Sequence, residues 1–68
     1  MNEDVFNMSV RKFLKQFGIT AQREIENAVH EAFSAGRLSG NERLPVKATL
    51  TLGQTSLNVV IDGDIELE

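Results

Sequence analysis

The chain has 68 residues, no cysteine, and ten acidic against seven basic side chains, for a formal charge of −3. That length suits one small domain near the lower limit for independent folding, and the missing thiols exclude a disulfide framework and thiolate metal sites. The acidic balance argues against a dedicated nucleic-acid binder, no apolar run approaches a membrane span, and Met1-Asn2-Glu3-Asp4 lacks the basic-then-apolar order of a signal peptide, so a cytoplasmic location is expected.

Phe6, Val10, Phe13, Leu14 and Phe17 recur at helical spacing and predict a first helix over residues 3–17. Asn2 is its expected cap, Glu3 and Asp4 sit where the dipole favours carboxylates, and Arg11, Lys12 and Lys15 lie toward the other end. Gly18 then reads as a left-handed stop, with Ile19 placed to touch Leu14. Thr20 reads as the cap of a second helix over residues 21–35, whose stripe is Ala21, Ile25, Ala28, Val29, Ala32 and Phe33, and Gly36 ends it. So short a connection predicts two antiparallel helices with facing stripes.

Residues 37–43 read as a loop turning on Ser39-Gly40-Asn41, with Leu38 as its anchor. Strict alternation then predicts strands over residues 44–52 and 55–67. A hairpin loop of two residues (Gly53-Gln54, a type II′ turn) or of four (Gly53–Ser56) pairs even with odd positions. Either register puts Leu44, Val46, Ala48, Leu50, Leu52, Leu57, Val59, Ile61, Ile65 and Leu67 on one face. Pro45 removes a donor from the outer edge of the first strand, and Gly63 suggests a bulge or a close passage of a helix.

The expected architecture is therefore a single α+β domain over residues 1–68, ordered ααββ, with two antiparallel helices packed on one face of an antiparallel β-hairpin. Its core would comprise Phe6, Val10, Phe13, Leu14, Phe17, Ile25, Val29, Phe33, Val46, Leu50, Val59 and Ile61. Because a two-stranded sheet is marginal alone, a homodimer is expected. Its second strands would pair through residues 56–61, with Ser56, Asn58 and Val60 on the shared edge of a four-stranded sheet.

No constellation of reactive groups emerges. His30 and Glu26 are one helical turn apart, but one imidazole and one carboxylate do not hold zinc, and an ordinary surface pair accounts for them. Asp62, Asp64, Glu66 and Glu68 alternate along the second strand, where an extended backbone spreads them too far apart for a calcium site and they serve solubility. Glycine-rich phosphate loops and nucleophile elbows are missing, so neither enzyme activity nor a cofactor is expected. Met8, Arg11, Lys12 and Lys15 form a candidate partner surface on the first helix. The favoured function is a non-enzymatic structural or protein-interaction module. The alternative is nucleic-acid binding through a degenerate helix-turn-helix over residues 13–29, weakened by Glu24 and Asn27 at buried motif positions and by Glu24, Glu26 and Glu31 against Arg23 on the recognition helix.

Two runs, residues 1–15 and Gly18-Ile19-Thr20 with Arg23-Glu24-Ile25-Glu26, together with the Gly63-Asp64-Ile65-Glu66-Leu67 ending, resemble a family of small bacterial proteins, about seventy residues long, of unknown function. The resemblance spans essentially the whole chain. It implies a stand-alone bacterial cytoplasmic protein and brings no catalytic residues to transfer.

Overall fold

A computed structural model describes all residues 1–68 and places one α-helix, α1 (Glu3–Ser34), ahead of an antiparallel hairpin formed by β1 (Arg43–Thr51) and β2 (Asn58–Glu66). The ααββ expectation is corrected by the first element: there is a single helix of 32 residues where two were expected. The chain divides into two units, Met1–Arg37 and Leu38–Glu68.

Both ends of α1 form as their residue types dictate. Asn2 is extended (φ −97°, ψ 108°) and its side-chain oxygen accepts a hydrogen bond from the Val5 N–H at 3.1 Å, satisfying one of the helix's free donors. At the far end Arg37 N donates to Ala32 O (2.9 Å) and Gly36 N to Phe33 O (3.0 Å), with Gly36 at φ 80°. That pair of bonds is a Schellman stop, and glycine adopts its left-handed residue without strain.

Gly18 does not repeat this behaviour. Its φ is not positive, and the helix runs straight through it. Thr20 does not act as a cap either, because its hydroxyl accepts from Gln16 Nε2 at 3.0 Å, one turn back on the same helix. A stop here would give up several intrahelical hydrogen bonds at two new ends, whereas an interior glycine costs only about 1 kcal/mol.

Continuity also joins the two apolar stripes into one. Phe6, Val10, Leu14, Phe17, Ala21, Ile25, Ala28 and Ala32 follow one another at steps of four, four and three. This is an eleven-residue repeat: Phe6, Phe17 and Ala28 share one lengthwise row, and Val10, Ala21 and Ala32 share another. At 3.67 residues per turn the row hardly drifts around an α-helix and favours a slight right-handed coil.

In the hairpin, Leu44 pairs with Ile65, Val46 with Gly63, Ala48 with Ile61 and Leu50 with Val59. This is the register of the four-residue loop. The turn residue is Gln54, at φ 62°, and the Gly53 φ is not positive, which corrects the type II′ expectation. Thr55 fastens the loop, since its hydroxyl donates to Leu52 O (2.7 Å) and accepts from Leu57 N (3.2 Å). Pairing runs without interruption through Gly63, so no bulge exists there, and the Val46 methyl occupies the space over the glycine.

Leu67 N donates to Glu42 O at 3.1 Å, extending the ladder one pair beyond the strands. That bond and the missing Pro45 N–H set the alternation: even residues of β1 bond to β2, and odd residues point outward. On β2 the outward set is Asn58, Val60, Asp62, Asp64 and Glu66.

Not one side chain in the chain is buried. Each residue of the expected core is either half-buried, as are Ile25, Val29, Val46 and Leu50, or exposed, as are Phe6, Val10, Phe13, Leu14, Phe17, Phe33, Val59 and Ile61. The expected core needed two helices facing each other. With one continuous helix, the helical residues that were to close over one another all lie along the same element.

Candidate protein-interaction surfaces

Large apolar side chains are exposed along α1. Phe6, Phe13 and Phe17 expose 47%, 53% and 46% of their surface and Phe33 exposes 53%. The rings of Phe13 and Phe17 lie 6.3 Å apart, tilted at 31°, so they stack along the helix in solvent.

Met8, Arg11, Lys12 and Lys15 are all exposed and lie within two turns of α1, with Met8, Lys12 and Lys15 on the side away from the stripe and Arg11 at its margin. The continuous helix extends this side through Ile19, Glu26 and His30. His30 and Glu26 are both exposed, and no group of three or more histidine, cysteine or acidic side chains comes together anywhere in the chain. Residues 13–29 lie within α1, so the turn that a helix-turn-helix requires is missing, which corrects the framework of that alternative.

On the hairpin, the expected edge residues part company. Asn58 and Val60 lie in β2 with their backbone groups directed outward, and the sheet has only two strands, so that edge is open. Ser56 falls in the loop outside the strand. The acidic row of β2 is answered by cations on β1: Arg43 forms an ion pair with Glu66, and Lys47 stands opposite Asp62. Such cross-strand pairs contribute roughly 0.2–1 kcal/mol each and favour this register over a slipped one. A shallow open depression is lined by Pro45, Val46, Lys47, Asp62, Gly63 and Asp64.

Glu42 is the residue that sequence reasoning missed. Its two carboxylate oxygens accept from Ser39 N (2.8 Å) and Gly40 N (3.0 Å), with Gly40 held at φ 103°. The Ser39 and Gly40 amides hold the Glu42 carboxyl below the usual glutamate range. The signal was present as a carboxylate placed two and three residues after a Ser-Gly turn, the spacing at which an acidic side chain reaches back to free amides.

The chain matches the Family of unknown function (DUF6494) over residues 1–68. It belongs to that family. Membership in DUF6494 brings no assigned catalytic or ligand-binding residue to place on the surfaces above. Comparison with curated proteins and with solved structures finds no match. No helix is long and apolar enough to cross a membrane.

Proposed function

We propose that this chain is a non-enzymatic protein-interaction module that works as a homodimer. The observation that supports the reading is the exposure of its large hydrophobic side chains, Phe6, Phe13, Leu14, Phe17 and Phe33 on α1 and Val59, Val60 and Ile61 on β2, in a chain with nothing buried. Fully burying one such side chain is worth roughly 1.5–3 kcal/mol, and a small domain's whole stability is only about 5–15 kcal/mol. These side chains are already about half covered, so covering the rest contributes about 0.7–1.5 kcal/mol each, and only the full set together reaches the stability such a domain needs. A second copy that covers the row of α1 collects that contribution.

Sedimentation equilibrium at micromolar concentration tests this. The expected mass is twice the 7.5 kDa of the chain. A 7.5 kDa species that melts cooperatively on its own would remove the need for a partner and the proposal with it. A salt-dependent gel shift with duplex DNA, lost in Lys12→Glu, would replace it with nucleic-acid binding.

A further inference from the structure

We infer that the apolar row of α1 pairs with the same row of a second copy, antiparallel, about a two-fold axis near Ile19. The inference rests on the self-association reading above and specifies the surface and its orientation.

Residue sizes along the row carry the orientation. The first half presents Phe6, Val10, Leu14 and Phe17, and the second half presents Ala21, Ile25, Ala28 and Ala32. Antiparallel alignment about residue 19 sets Phe6 level with Ala32 of the second copy, Val10 with Ala28, and Phe17 with Ala21, while Leu14 meets Ile25. Every large side chain then faces a small one, or two aliphatics of middle size meet, and the axes stay evenly spaced at the close-packed density of a core. Parallel alignment instead stacks Phe on Phe at two levels and Ala on Ala at three, leaving the pair splayed at one end and hollow at the other.

Net charge along the helix points the same way. Residues 8–17 hold Arg11, Lys12 and Lys15 with no acid, and residues 20–31 hold Glu24, Glu26 and Glu31 against Arg23. The antiparallel pair lays the basic stretch of each copy along the net acidic stretch of the other, with Lys15 level with Arg23 as its one like-charged match and Glu26 on the side away from the row. A parallel pair sets like against like. The surface is long enough for a stable pair, because 32 residues at 1.5 Å each extend about 48 Å.

The chain has no cysteine, so engineered thiols report without background. Val10→Cys and Ala28→Cys proteins are made separately, checked for native helix content by circular dichroism, and oxidised alone and as a mixture. Antiparallel pairing yields a cross-linked dimer in the mixture only, since Val10 of each copy is far from Val10 of the other. Cross-linking of either protein alone means a parallel pair and overturns the inference. A native protein that sediments as a dimer but cross-links in none of the three samples also overturns it, leaving the self-association reading in place. A monomer removes both.

Discussion

Glu42 shows how a single carboxylate orders a loop. Ser39 and Gly40 present two backbone N–H groups that a turn leaves without carbonyl partners, and both bonds go to one side chain. Bonds to a carboxylate are charge-assisted and are lost on protonation. The sign of the linkage is set by the direction of the shift. A carboxyl held below its unfolded value contributes stability that is present above about pH 4.3 and is lost as the pH falls through its lower folded value. Amide shifts of Ser39 and Gly40 should therefore titrate together, with a midpoint below the ordinary glutamate value. Glu42→Gln should abolish that transition and loosen the loop at every pH. A titration centred on the ordinary value, or amides that ignore Glu42→Gln, would show that the carboxylate does not hold the turn. Gln54 is a second residue set against its intrinsic preference, held at positive φ beside the Thr55 hydroxyl that closes the hairpin loop.

Among the elements, α1 separates local chemistry from cooperative structure. Gly18-Ile19-Thr20 carries the composition of a stop next to a start, and Gly36 carries that of a stop. Only Gly36 behaves as one. The difference lies in the residues downstream of each glycine. Beyond Gly36 no helical row remains to extend, whereas beyond Gly18 the next apolar residues fall in phase with those before it. Gly18→Ala should raise helix content and stabilise α1 by roughly 0.5–1 kcal/mol, because alanine is the better interior residue. Circular dichroism and a thermal melt read this directly, and a loss of helix on substitution would indicate a left-handed glycine and a real break. Much of the architecture was nonetheless legible in the residues. Asn2 and Gly36 bound the helical region, and the alternation from Leu44 to Leu67 specified the shared face of the hairpin, with parity carried by the loop of four. What could not be read was a quantity spread over many residues. Whether a helix bridges a glycine depends on the summed hydrogen bonds of both flanks, and the apolar period on each side looked complete when taken alone. Met8, Arg11, Lys12 and Lys15 were legible as one exposed group. The Phe6-to-Ala32 row was hidden by the same assumed break, since its eleven-residue spacing appears only when both halves are counted together.

For the whole molecule, the proposed covering of the apolar row by a second copy predicts that folding depends on concentration. If covering that row supplies much of the stability, then dilution should lose helix signal and mass together, and the melting temperature should rise with protein concentration. A melting temperature constant over a hundredfold range of concentration would show that each chain is self-sufficient. The four-four-three spacing carries one more consequence, for how such a chain is able to change length. Eleven residues make three whole turns and advance the helix by about 16.5 Å, so an insertion of that size lengthens α1 and leaves every later side chain pointing where it did. Adding one residue swings the downstream half by about a quarter turn and takes Ala21, Ile25, Ala28 and Ala32 out of line with Phe6, Val10, Leu14 and Phe17. Growth or shortening of this helix is thus expected in steps close to whole turns, such as seven or eleven residues, and not one residue at a time.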